Sequence, residues 1–116
     1  METAINLFCG LWLGVDLPRA AQDQTVWDVA PPGIHDVSYE RGSWGGHAVA
    51  VLAYQRTGLT CVTWGALKTM TWDWVHAYCS EAWATIDRLW IADDGLAPNG
   101  FNAQLLAQDL AAIGAA

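Results

Sequence analysis

The stretch Gly45-Gly46-His47-Ala48-Val49-Ala50-Val51-Leu52-Ala53-Tyr54, followed by the run Leu59 to Trp64, decides the fold of this chain. Between the two apolar runs lies Gln55-Arg56-Thr57-Gly58, a short glycine-containing loop of the kind that closes a β-hairpin. The first run is apolar at both alternating sets of positions: Val49, Val51 and Ala53 on one side, Ala48, Ala50 and Leu52 on the other. A strand apolar on both faces is expected in the middle of a sheet and covered from both sides. Gly45 and Gly46 let the backbone bend and approach closely, so His47 is expected at the mouth of that strand. Antiparallel counting through a tight loop puts His47 opposite the neighbourhood of Trp64 and Gly65, which makes imidazole and indole predicted neighbours.

Working outward, Glu2 to Phe8 reads as the end of a helix and Gly10 to Leu17 as a strand stopped by Pro18. Residues 19 to 45 have little periodicity and carry the turn signal Pro31-Pro32-Gly33. They are expected to form a long surface excursion bearing Trp27, His35, Tyr39 and Trp44, and long excursions are often functional. After the hairpin, Thr71 has the character of an N-cap, with Asp73 in the first turn answering the helix dipole. The spacing of Trp72, Val75 and Cys79, with Trp74 and Tyr78, predicts a helix to about Ser80, followed by a short strand Ala82 to Ile86. Turns follow at Asp93-Asp94-Gly95 and Pro98-Asn99-Gly100. The last helix, about 102–113, is capped by Asn102 and stapled by Phe101 and Leu106. Leu106, Leu110 and Ile113 are expected to face inward, and Gly114 ends the helix. The predicted class is α+β, one domain over 1–116: an antiparallel sheet or partial barrel with flanking helices.

A chain of 116 residues can bury a real core but not two. Five Lys and Arg against 12 Asp and Glu give a formal charge of −7. That balance repels phosphate backbones and argues against direct nucleic-acid binding through a basic groove; it suits a basic protein partner. Eight tryptophans imply either aromatic layers or aromatic surface offered to another molecule. Cys9, Cys61 and Cys79 are odd in number and lack CxxC spacing, so they read as small buried hydrophobes in a reducing compartment. Met1-Glu2-Thr3 lacks the basic start of a secretory leader, and no apolar run approaches the roughly 18 residues of a membrane span. A cytoplasmic location without membrane contact is the expectation.

From about Ala4 to Ile86 the chain resembles the C-terminal, barrel-forming half of the papain-like cysteine proteases. The resemblance is carried by the strand Leu11 to Leu17, by Gly45-Gly46-His47-Ala48-Val49, by Thr63-Trp64-Gly65 and by the aromatic run from Thr71-Trp72-Asp73-Trp74 onward. The chain is also similar to uncharacterised papain-like proteins of bacterial and phage genomes that carry a Trp-Gly-Ala-Leu-Lys stretch like Trp64 to Lys68. The resemblance implies that His47 holds the position of the catalytic base. Trp64 then closes the segment that, in the family, carries an asparagine orienting the imidazole.

The departures from the family pattern are equally informative. The family cysteine lies roughly 130–150 residues before the histidine, whereas His47 has only 46 residues ahead of it. Cys9, the cysteine among them, sits at a helix-to-strand junction, without the helix N-terminus or cationic neighbour that stabilises a thiolate. The position of the orienting asparagine is Val62, which can neither donate nor accept a hydrogen bond. The expectation is therefore a non-catalytic acidic binding protein on a truncated papain-like scaffold. It would be a small protein derived from a longer gene, of the kind phages use to inhibit a host protein, and it would need a protein partner or self-association. Its binding residues are sought at Trp27, Tyr39, Arg41 and Trp44; the competing role for the two tryptophans is to pin the excursion to the sheet. His47 then reads as an inherited residue hydrogen-bonded to backbone beside Trp64. The alternative is a papain-like peptidase fragment in which His47 works as base for a nucleophile supplied by another segment or chain. His76 with Cys79, and His35 with Asp36, fall short of the four convergent ligands zinc requires, so no metal or cofactor is expected. Asp93, Asp94 and Asp109 read as solvated acids.

Overall fold

A computed structural model describes residues 1–86, 91–97 and 99–114. The chain groups into two compact units, Met1–Ala84 and Thr85–Ala116. In the first unit, α1 (Glu2–Phe8) leads into β1 (Leu11–Leu17) and a single 3-10 turn at Arg19–Gln22. β2 (Val26–Trp27), a second such turn at Val37–Tyr39, β3 (Gly45–Gln55), β4 (Gly58–Thr63) and β5 (Ala66–Thr71) follow. α2 (Trp72–Tyr78) and β6 (Cys79–Ala84) complete the unit. The six strands form one sheet in the order β2-β5-β4-β3-β1-β6, which does not close on itself. Every pairing is antiparallel except β2 with β5. The architecture is α+β with an open, mixed sheet.

One face of this sheet holds the core. From β1 the odd positions Leu11, Leu13, Val15 and Leu17 point inward, joined by Val49 and Val51 of β3, Leu59 and Cys61 of β4 and Met70 of β5. Ile5 of α1 and Trp74, Val75 and Tyr78 of α2 close the cluster. The start of α2 is fixed by Thr71, whose Oγ1 accepts from the Trp74 backbone N–H at 3.1 Å and donates to Asp28 Oδ1 at 2.7 Å. Trp27, expected on a surface excursion, is instead 0% exposed. Its Nε1 donates to Ala21 O at 3.0 Å, and its ring stacks on Trp74 at 4.7 Å. Of its two predicted roles, Trp27 performs the one that pins the excursion to the sheet.

The opposite face corrects a second expectation. β3 was expected to be covered on both sides, yet Leu52 and Ala53 are exposed while Val49 and Val51 are buried. The register lines up Trp83, Trp12, Ala50, Val62 and Leu67 as direct cross-strand neighbours over five strands. Within this row Trp12 is 50%, Trp83 65% and Leu67 72% exposed. The run is apolar at both parities because one parity fills the core and the other forms this outer row.

β6 begins at Cys79, earlier than the expected Ala82, and ends at Ala84. In the second unit, Leu96 bridges to Asn102, whose side chain caps α3 (Ala103–Ala112) by accepting from the backbone N–H groups of Gln104 and Leu105. The expected inward stripe of Leu106, Leu110 and Ile113 does not form: α3 buries no residue, and Ile113 is 75% exposed. Leu106, Leu110 and Ile113 share one side of the helix by their spacing, but Leu106 is half-buried and Leu105, Leu110 and Ile113 are exposed. Pro98 of the predicted Pro98-Asn99-Gly100 turn lies outside the described residues.

Candidate functional site

Trp64 and Gly65 form the two-residue turn between β4 and β5, flanked by the pair Thr63 and Ala66. Their φ values are 46° and 73°. Positive φ at both positions matches the twist of a tight hairpin, and Asn-Gly is the usual occupant because those residues tolerate the left-handed region. A tryptophan there carries a backbone cost of about 1–2 kcal/mol, and its indole is left 61% exposed. Strain of this kind persists where surrounding structure over-determines it. Here the surroundings are rings. The indole stacks on His47 with centroids 4.5 Å apart and planes 10° from parallel, tilts against Trp44 at 5.3 Å, and meets Trp27 edge-on at 6.2 Å. With Trp27 on Trp74 and Trp74 on Tyr78, a continuous aromatic chain runs from the core to the surface.

His47 occupies the expected place beside Trp64, but its polar partner is a side chain and not the expected backbone. Nε2 lies 2.7 Å from Thr63 Oγ1. Val62 belongs to the outer face, paired with Ala50 and Leu67, while Thr63 is buried on the face His47 shares. A hydroxyl can both donate and accept, so Thr63 fixes the ring in either tautomer. Among the described residues no cysteine makes a hydrogen bond to this ring. In register the closest approach is Cys79: His47 and Cys79 flank Val15 from opposite sides, one on β3 and one on β6. Two strand spacings amount to roughly 10 Å, too far for proton transfer. Burial pushes the Cys79 thiol up from its ordinary value, and the thiol donates to Glu81 O. Cys61 is buried in the core, where desolvation raises its pKa to about 11. Cys9 closes α1 at its C-terminal end, the end whose dipole disfavours an anion.

The remaining predicted binding residues have assigned structural roles. Arg41 Nε binds Asp16 Oδ2 at 2.7 Å, and its terminal nitrogens donate to Ala77 O and Cys79 O. Tyr39 is half-buried and its carbonyl accepts from Tyr78 Oη at 2.8 Å. Together they lash the excursion to the end of α2. Trp44 alone of the four offers an exposed ring, and it does so against Trp64. Two adjoining hollows share these indoles: one of about 160 Å³ beside His47 and Gly46, and one of about 250 Å³ lined by Leu67, Lys68 and Gln22. Sequence reasoning missed Thr63 and Lys68; strand alternation from Cys61 was the signal for the first.

Among the described residues no group of three or more His, Cys, Asp or Glu side chains converges to hold a metal, and His76 is exposed. No described helix is long and apolar enough to cross a membrane. The fold and site define an α+β protein with a strained aromatic turn packed on a hydroxyl-anchored histidine. No family model, no curated protein and no solved structure matches the chain.

Proposed function

We propose that this chain is a non-catalytic, acidic protein-binding module on a scaffold resembling half of a papain-like protease, of the type phages use to inhibit a host protein. The observation that carries the reading is the outer row Trp83, Trp12, Ala50, Val62 and Leu67. Its two half-exposed indoles alone leave roughly 200–300 Å² of aromatic surface in water, and monomers rarely expose apolar patches beyond a few hundred Å². The occupant is a protein whose apolar centre is ringed by Lys and Arg. The net charge of −7 steers such a partner in and repels a second copy. The separation of His47 from every described thiol supports a binding role over proteolysis.

The test combines sedimentation with affinity capture and identification. The chain alone should run as a monomer. It should retain a basic partner that is released as salt rises and lost with Trp12→Asp and Leu67→Asp together. Retention of the same proteins by wild type and double variant, or a wild-type dimer that the variant dissociates, would overturn the proposal. The alternative, His47 as base for a nucleophile on another chain, draws on the Thr63 hydrogen bond that orients the ring. It requires thiol-probe labelling of a partner cysteine that disappears with His47→Ala.

A further inference from the structure

Lys68 is the only lysine in a chain that carries 12 acidic residues. Among the described residues no carboxylate lies within ion-pair distance of it. It is half-buried, donates to Gln24 O and stands 5.8 Å over the Trp27 ring. One carbonyl partner leaves an ammonium with two further N–H donors to satisfy. Lys68 lines the hollow of about 250 Å³ whose walls are Trp44, Trp64 and Leu67. β2 pairs with β5 only at Thr69 and Met70, so the hollow opens where β5 runs past its short neighbour. The strained backbone at Trp64 holds an indole over this opening, although Asn in the same turn would relieve the strain.

From these observations we infer that the Trp44–Trp64–Lys68 hollow is a binding site for an aromatic ring bearing a carboxylate. The ring packs against the two indoles and the carboxylate pairs with the Lys68 ammonium. One cation and two exposed indoles line the same small hollow, which fits one small planar acid, while the net charge of −7 on the whole chain disfavours polyanions. The same chemistry is presented by a free aromatic acid and by the C-terminal aromatic residue of a peptide. This inference shares Leu67 with the outer sheet face but rests on Trp44, Trp64 and Lys68, which are not part of that row.

The experiment titrates the ¹⁵N-labelled full chain, following the indole N–H resonances of the assigned tryptophans. The probes are indole-3-acetate, its neutral amide, the tripeptide Ala-Ala-Phe and its C-terminal amide. The Trp44 and Trp64 signals should shift saturably with at least one carboxylate, at a Kd of about 1 mM or tighter. The matching amide should bind about tenfold more weakly or worse, equivalent to about 1.4 kcal/mol. Tighter binding of indole-3-acetate identifies a free acid as the ligand; tighter binding of the tripeptide identifies a chain end. Lys68→Met should weaken binding by a similar factor, and Lys68→Arg should retain it. Trp64→Asn, which suits the turn, should keep the fold and lose the site. The inference is overturned if neither carboxylate shifts these signals saturably, if amide and acid bind alike, or if Lys68→Met or Trp64→Asn binds like wild type.

Discussion

Replacing Trp64 by Ala and, separately, by Asn isolates the strain in the β4–β5 turn. Trp64 is 61% exposed, so about two-fifths of its surface is covered. At roughly 250 Å² for a large aromatic and ~25 cal/mol per Å², the covered area contributes about 2.5 kcal/mol. The ring contacts with His47, Trp44 and Trp27 lie within that area. Both substitutions remove the ring contacts and most of the covered area. They differ in the backbone, because Ala at φ 46° meets the same left-handed penalty as Trp while Asn largely escapes it. The Asn variant should therefore be more stable than the Ala variant by about 1 kcal/mol, or roughly 4 °C in Tm for a domain of this size. Thermal and urea unfolding, followed by near-ultraviolet circular dichroism of the packed indoles, reads the difference directly. If the Ala variant equals or exceeds the Asn variant at unchanged m-value, the left-handed geometry costs nothing and the argument from strain to function fails.

Two further outcomes are expected. The Cys61 pKa is raised from 9.0 to about 11 by burial, so the unfolded chain ionises first; stability linked to this thiol is full below pH 9 and is lost between pH 9 and about 11. Burial shifts Cys79 and Tyr78 in the same direction, and urea midpoints across that window should fall, less steeply in Cys61→Ala; a flat profile in the wild type would contradict the buried-thiol assignment. Arg41→Ala should cost about 1 kcal/mol, a figure discounted for the exposure of both Arg41 and Asp16, and should leave ligand titrations at Lys68 unchanged. Loss of binding with intact stability would return Arg41 to the role of a contact residue.

Much of the first unit was legible because its signals are local. α1 and β1 lie where the periodicity predicts, Thr71 and Asn102 cap as their positions imply, and counting across a tight hairpin correctly brings His47 to Trp64. β5 escaped notice because its turn lacks the usual Asn-Gly: Trp64-Gly65 reads as the end of a strand, although Thr63-Trp64-Gly65-Ala66 is a hairpin connection. β2 is two residues long and pairs in parallel, so it leaves no pattern, and the burial of Trp27 went unseen with it. Counting back from Trp64 by family spacing selected Val62 as the imidazole's neighbour. Alternation along β4 puts Leu59, Cys61 and Thr63 on the His47 side and Val62 on the other, so side-chain parity outranks motif spacing.

The same side-chain parity bears on the proposal that a foreign partner, and not a second copy, covers the outer row. Glu81 lies on this face opposite Gly14, where an added Cβ would come within 2.5 Å of its Cγ. The missing side chain gives the Glu81 stem room to lie flat across β1, and its Oε2 accepts from Trp83 Nε1 at 3.1 Å. The carboxylate thus orients one indole of the row while staying in solvent, with Asp16 two positions further along β1. Sheet-on-sheet packing between identical copies would bring the two Glu81 carboxylates toward the same low-dielectric layer, where like charges cost several kcal/mol. A partner offering Lys or Arg at that point would instead satisfy the carboxylate as it covers the tryptophans. Gly14→Ala separates these cases: by displacing Glu81 it should loosen a cationic partner's grip, while relieving the repulsion that keeps copies apart.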